Sequence, residues 1–263
     1  MKSKILIGII VLSLLFVILF PATAKKCTPV FVKTYIKDLL GITELQEHIK
    51  VLENIVYESK EDVWSRSRQR WENTAPDAGL TWGKEITGDA FIEKAIAYKV
   101  FGKDKVILEI GPGYGRLLRS MQKKDVAYKN YIGVDISEEV CDYLRKEFTK
   151  NNIEIIHADV EKLKLPVKVD VVISSLTFKH LYPTFEKAIL NLNNNLNSGG
   201  LYIFDLLEGE GSSFENDGKT YIHRYTQKEV IEILARCGLE LLKFDEVKHD
   251  ADHTRLLVIA KKK

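Results

Sequence analysis

An α/β fold, with strands feeding helices through tight turns, is what this sequence predicts. Three observations carry that expectation. Residues 105–118 run from an apolar stretch through a glycine turn into helical spacing. Six more strand-like runs follow it along the chain. The first three strand ends each carry an acid, Glu109, Asp135 and Asp159. A chain of 263 residues, 45% hydrophobic and 29% charged, is long enough for one sizeable core of this kind plus an extension.

The first strand is built on Val106, Ile107, Leu108 and Ile110, and Gly111, Gly113 and Gly115 form the turn. Leu117, Leu118 and Met121 then continue at helical spacing, so backbone in that turn can closely approach a ligand. Tyr131–Asp135 reads as the second strand and Ile153–His157 as the third, with Ala158-Asp159-Val160 at its carboxyl end. Val169–Ser174 is the fourth, and Asn197-Ser198-Gly199-Gly200 turns into the fifth at Leu201–Asp205. Thr226 is a helix N-cap with Glu229 three positions on, and Gly238 ends that helix after Cys237. Leu239–Val247 and Thr254–Ala260 read as a closing hairpin.

Two nucleotide cofactors compete for the glycine turn. A dinucleotide fold wants G-x-G-x-x-G, with its pyrophosphate on the helix N-terminus. Here the pattern is G-x-G-x-G, with Glu109 two residues before the first glycine. A carboxylate there is awkward for pyrophosphate and suits a cation, which tilts the reading to S-adenosylmethionine, with its ammonium and sulfonium and no phosphate. Asp135 follows Gly111 by 24 residues, near the ~20-residue offset at which a carboxylate meets ribose hydroxyls. A single such acid is more often an exposed turn residue or an N-cap; three in order at strand ends are harder to explain that way.

The set Leu-Glu-Ile-Gly-Pro-Gly-Tyr-Gly (108–115), Gly-Val-Asp-Ile-Ser (133–137), Ala-Asp-Val (158–160), Asp-Val-Val-Ile-Ser-Ser (170–175) and Leu-Asn-Ser-Gly-Gly-Leu (196–201) resembles the class I S-adenosylmethionine-dependent methyltransferase family, over roughly residues 80–263. The resemblance implies a Rossmann-like, seven-stranded, mostly parallel sheet with helices on both faces and one antiparallel strand near the end. It implies S-adenosylmethionine as cofactor, with Glu109, Gly111, Gly113 and Gly115 around the methionine part and Asp135 on the ribose. Asp159 would then take the adenine amine, with Ile136 and Val160 flanking the ring and Ser174 at the end of the fourth strand. Trp82, in a Pro- and Gly-containing segment ahead of the first strand, is either a lid over the cofactor or a plug at the edge of the core.

The amino terminus reads as a membrane segment. Ile5–Phe20 carries no charge, and an apolar stretch extended to Ala24 is about long enough to cross a ~30 Å hydrocarbon core. Ala22-Thr23-Ala24 also fits a signal-peptidase site, after which the protein would be secreted. S-adenosylmethionine is a cytosolic metabolite, and Lys25, Lys26, Lys33 and Lys37 outweigh Lys2 and Lys4, so the favoured expectation is a single-pass anchor with the catalytic domain facing the cytoplasm. The expected organisation is residues 1–24 as anchor or signal, 25–79 as a helical segment and 80–263 as the enzyme domain. Within the middle segment, Ile42, Leu45, Ile49, Leu52 and Val56 make one helical stripe, read as a helix docked on the domain in preference to the seam of a homodimer. Trp64 and Trp71 share one face of a second helix, and Arg66 and Arg70 share another. A net charge of +2 gives no basic stripe for nucleic acid, and three scattered cysteines show neither a disulfide framework nor metal spacing.

On the acceptor side, His180 is the best-placed titratable residue in the loop after the fourth strand, either a base or a residue that holds the loop in shape. Arg70, Tyr182, His223 and Arg224 are the candidate acceptor contacts. The loop has no Asn-Pro-Pro-Tyr type motif, which argues against methylation of DNA-base or glutamine amino groups. The expectation is methyl transfer to oxygen or nitrogen of a small molecule, a lipid or a lipid-linked sugar. The alternatives are a non-catalytic membrane-tethered subunit and an aminopropyl transferase-like enzyme, although the latter wants a carboxylate where Ser174 and Ser175 stand.

Overall fold

Strand β1 (Gly102–Ile110) is an inner strand of a seven-stranded sheet in the computed structural model, which describes Gly41 and residues 60–75, 87–215, 217–248 and 254–263. The chain divides into two compact units, 1–59 and 60–263, and the second holds the sheet. The apolar run 5–24, the stripe from Ile42 to Val56 and Trp82 lie outside the described residues. Among the described residues no helix is long and apolar enough to cross a membrane.

The elements run α1 (Lys60–Glu72), α2 (Asp89–Ala97), β1, α3 (Arg116–Lys123), β2 (Tyr128–Asp135), α4 (Glu138–Glu147), β3 (Ile153–His157) and β4 (Val169–Ser174). A short 3₁₀ turn (Phe178–His180) precedes α5 (Glu186–Leu192) and β5 (Leu196–Leu206). Then come the small hairpin β6 (Ser212–Phe214) and β7 (Tyr221–His223), α6 (Gln227–Arg236), β8 (Leu239–Lys248) and β9 (Thr254–Lys262). The sheet order is β3-β2-β1-β4-β5-β9-β8. β1 to β5 are parallel to one another, and β9 is antiparallel to both of its neighbours.

The inner strands are buried on both sides, as a parallel sheet covered by helices requires. Alternation splits their side chains between two cores. Leu108, Ile110, Val172 and Phe204 pack toward α5 and α6. Ile107, Tyr131, Val171 and Ile203 pack toward α2, α3 and α4. The chain winds from β1 outward to β3 and then returns to β4 on the other side, so a crevice opens beyond the carboxyl ends of β1 and β4, where ligands bind in open α/β sheets.

Helix ends follow the sequence cues. Ser137 caps α4 by accepting the Val140 N–H, and Thr226 caps α6 by accepting the Glu229 N–H at 3.2 Å. Glu229 does not complete a reciprocal box; its carboxylate holds His223 at 2.9 Å. Gly238, at φ +69°, ends α6. The β6–β7 hairpin falls in a stretch the sequence reads only as a loop, because three-residue strands leave no alternation to detect.

Gly113 and Gly115 both sit at positive φ, but their surroundings differ. A Cβ on Gly115 would come within 2.5 Å of the Phe148 ring, whereas one on Gly113 would meet nothing within 4 Å. Gly113→Ala should therefore cost only the left-handed backbone penalty of about 1–2 kcal/mol. Gly115→Ala adds overpacking of about 1–3 kcal/mol. Urea denaturation midpoints of the two variants check this, with equal losses as the contrary result.

Candidate functional site

Three strand ends meet at the glycine turn. Gly111 receives no side chain because Thr177 fills that space; a Cβ there would lie 2.3 Å from the Thr177 hydroxyl oxygen. The Gly111 N–H donates to the Val134 carbonyl at 2.9 Å, tying the end of β1 to β2. Asp135, at the end of β2, accepts the Gly113 N–H on Oδ2 at 3.2 Å and the Ser137 N–H on Oδ1 at 3.0 Å. Burial raises its pKa, and these N–H donors work against that shift. The Asp135 carbonyl accepts the Ala158 N–H at 2.9 Å, which brings the end of β3 alongside.

A cavity of about 500 Å³ lies over this arrangement. Gly111, Gly113, Glu109, Asp135, Ile136, Asp159 and Val160 all border it. So do Arg70, His180 and Tyr182 from the acceptor-side candidates. Helix α1 crosses the cavity. Its Ser67 hydroxyl donates to the His180 carbonyl at 3.0 Å, and the Thr74 carbonyl beyond its end accepts the Ser137 hydroxyl at 2.7 Å. Trp71 packs on the His180 ring with centroids 4.5 Å apart, and Trp64 and Trp71 both face the cavity, as their seven-residue spacing implies.

Other expected residues fall elsewhere. Gly115 does not border the cavity; it starts α3 and makes room for Phe148. Ser174 points back into the protein and donates to the Ile110 carbonyl at 3.0 Å, while its neighbour Ser175 borders the cavity. His223 sits between Ser212 and Glu229, outside the cavity. Arg224 reaches Ser213 at 3.4 Å, also outside. Trp82 lies outside the described residues.

Two arginines that sequence reasoning passed over matter here. Arg116 is buried directly after the glycine turn, donating to the Thr87 carbonyl at 2.9 Å and to the Ser175 hydroxyl at 2.7 Å. Its sequence signal is a charge in the first turn of an otherwise apolar helix face. Arg68 of α1 pairs with Asp159 at 2.5 Å and with Glu72 at 2.6 Å. Helical phase carries that signal: Arg68 lies two residues from both Arg66 and Arg70, so it projects from a different face.

Glu109 is 2% exposed and accepts the Tyr131 hydroxyl at 2.6 Å. Burial pushes its carboxyl up to about 7, against the Tyr131 bond and the Arg116 charge. His180 is pushed the other way. Its Nδ1 lies 2.7 Å from the Tyr221 carbonyl, so Nδ1 carries the proton and donates it, leaving Nε2 with a lone pair. Burial, with Lys179 and Arg70 adding to it, lowers its pKa to about 3. His180 is thus a neutral, weakly basic imidazole that orders the 3₁₀ turn against β7.

A family model described as a methyltransferase domain matches residues 108–204, from β1 to β5. Residues 108–204 form a class I S-adenosylmethionine-dependent methyltransferase domain. Among relatives, the chain is 36% identical over 106 residues to a probable ribosomal RNA small subunit methyltransferase A of Pyrococcus abyssi, covering 38% of each chain. It is 27% identical over 147 residues to the malonyl-[acyl-carrier protein] O-methyltransferase of Priestia megaterium, covering 52% of each. The chain thus spans about two fifths to one half of these curated relatives. Among solved structures, the 1,6-didemethyltoxoflavin-N1-methyltransferase of Burkholderia thailandensis superposes with a TM-score of 0.62 at 16% identity, over 78% of this chain and 90% of that one. At that identity the likeness is one of fold.

The residues present fit the cofactor of such a domain. The Gly113 N–H that a pyrophosphate would need is already given to Asp135. The missing Cβ at Gly113 leaves open space beside the turn. S-adenosylmethionine, when bound, supplies a methyl group on a sulfonium, ready for in-line displacement. In such a domain the protein's part is to hold the cofactor, align the acceptor and exclude water.

Two titrations check the electrostatics. Because the folded pKa of Glu109 is raised, the native state holds a proton that the unfolded chain has lost between about pH 4.5 and 7. Its contribution is fully present below that window and lost as pH rises through it. Wild type should lose stability relative to Glu109→Gln between pH 5 and 8, on the order of 2–3 kcal/mol; parallel stability curves would contradict this. The ¹⁵N shifts of His180 should stay those of the neutral Nδ1–H form across the same range, and a midpoint near the ordinary value of 6.5 would contradict its environment.

Proposed function

We propose that the protein transfers a methyl group from S-adenosylmethionine to an oxygen or nitrogen of a small-molecule acceptor. The observation that carries this reading is the cavity itself, bordered by Asp135 and Asp159, by Lys179 and His180 of the 3₁₀ turn, and by α1. Its volume of about 500 Å³ suits a cofactor and a compact acceptor, within the ~300–1,000 Å³ usual for small-molecule sites. Asp135 binds the ribose, Asp159 the adenine amine while remaining next to Arg68, and Ile136 and Val160 flank the ring.

His180 is too weak a base to strip a proton from an alcohol at neutral pH, so it favours an acceptor atom that is already nucleophilic, such as a carboxylate oxygen or an unprotonated amine. The malonyl relative is named for O-methylation, which agrees with an oxygen acceptor. The apolar amino terminus favours an anchor with the domain on the cytoplasmic side, which would raise the local concentration of a lipid or lipid-linked sugar acceptor. Full activity toward a soluble acceptor in a chain lacking residues 1–24 would remove the ground for the lipid reading.

A second reading, a ribosomal RNA acceptor, is favoured by the names of several relatives that align with 38–45% of this chain. The loop Ser174-Ser175-Leu176-Thr177-Phe178 and a net charge of +2 weigh against it.

The test is calorimetry followed by transfer. The full chain should bind S-adenosylhomocysteine and not NAD, and Asp135→Ala should weaken that binding by about 10- to 100-fold, or roughly 1.4–2.7 kcal/mol. Labelled methyl groups should then appear in small-molecule or lipid extracts. Label appearing in ribosomal RNA instead would favour the second reading, and binding of NAD in place of the homocysteine product would defeat both.

A further inference from the structure

We propose that Lys179 selects acceptors carrying an anionic oxygen group, a carboxylate or a phosphate, by placing its ammonium in the acceptor end of the cavity. The inference rests on the methyltransferase reading and adds to it the substrate class. Lys179 is the middle residue of the 3₁₀ turn that follows β4. Its two neighbours have fixed tasks. Phe178 is fully buried against Phe185 and Phe204, and His180 is held to β7 through the Tyr221 carbonyl. Lys179 itself borders the cavity.

The ammonium has no hydrogen bond or ion pair of its own among the described residues. Four charged groups face it from the surrounding elements: Arg116 on α3, Asp205 on β5, Glu215 beyond β6 and Arg255 on β9. Two are positive and two negative, so their effects largely offset one another. Asp205 is also occupied, accepting the Leu176 N–H at 2.7 Å and the Ser175 hydroxyl. Glu215 is exposed. What remains is a cation taken out of water without a dedicated counter-charge, and burial accordingly leads the effects that lower its pKa to about 8. It stays mostly protonated at neutral pH.

A second group in the same cavity has the same need. Trp71 Nε1 is buried with no hydrogen-bond partner, and its ring packs on His180, the residue next to Lys179. Both unanswered groups are donors, and neither accepts. An acceptor molecule with anionic oxygens answers both, while an uncharged one leaves the ammonium as it is. His180, held neutral, adds no repulsion to a cation and offers no proton to an anion.

The experiment uses the full chain saturated with S-adenosylhomocysteine, titrated with hexanoate, hexyl phosphate and hexanol as probes. At least one anion should bind about tenfold or more tightly than hexanol, and which one binds identifies the oxyanion. That binding should weaken as pH rises through about 8, where the ammonium gives up its proton. Lys179→Met should remove the preference for the anion, and Lys179→Arg should retain most of it, while both variants keep S-adenosylhomocysteine affinity within about twofold of wild type. Hexanol binding as well as either anion, or anion preference surviving in Lys179→Met, overturns the proposal. So does an equal loss of S-adenosylhomocysteine in Lys179→Met, which would assign the ammonium to the cofactor. Failure of the wild-type chain to take S-adenosylhomocysteine at all overturns the methyltransferase reading as well, and so marks that failure apart from the others.

Discussion

The carboxylate of Asp135 is the joint that holds the site together. One oxygen holds the N–H of Gly113 in the turn after β1, and the other holds the N–H of Ser137 at the start of α4. Its backbone carbonyl reaches the end of β3 through Ala158. Three loops on three neighbouring strands are therefore fixed relative to one another by one residue. Charge-assisted bonds of this kind contribute about 1.5–3 kcal/mol each. The same joint passes to α1, since Ser137 also donates its hydroxyl to Thr74 just beyond that helix.

The cavity beside this joint is lined by charges of both signs. Asp135 and Asp159 border it, with Asp159 already paired to Arg68. Arg116 and Lys179 border it as well. His180 stands beside Lys179 as a neutral spacer whose hydrogen bond to Tyr221 fixes the 3₁₀ turn against the β6–β7 hairpin. The sheet contributes rigidity and the loops contribute chemistry, which is the usual division in a fold whose strands are buried on both faces.

Much of this was legible because parallel strands covered by helices must be apolar runs, and Val106–Ile110, Tyr131–Val134 and Val169–Ile173 read as such. Asp135 was legible because a charge directly after such a run falls at the strand's carboxyl end. Ser174 and Ser175 show where reading stops. Side chains alternate along a strand, so one step in register decides which serine faces the cavity and which bonds inward to Ile110, and sequence does not fix that step. Arg68 shows a second limit: its partner Asp159 is 91 residues away, and no local pattern announces so distant a pairing. His223 and Glu229 show a third, since a plausible reciprocal helix cap gave way to a side-chain pair formed across the end of β7.

A crystal structure of the full chain with S-adenosylhomocysteine bound is the decisive measurement for this site. Ribose hydroxyls should lie on the Asp135 carboxylate, the adenine ring between Ile136 and Val160, and its amino group on Asp159. Density for the nucleoside anywhere else, or these carboxylates turned away from it, would refute the assignment.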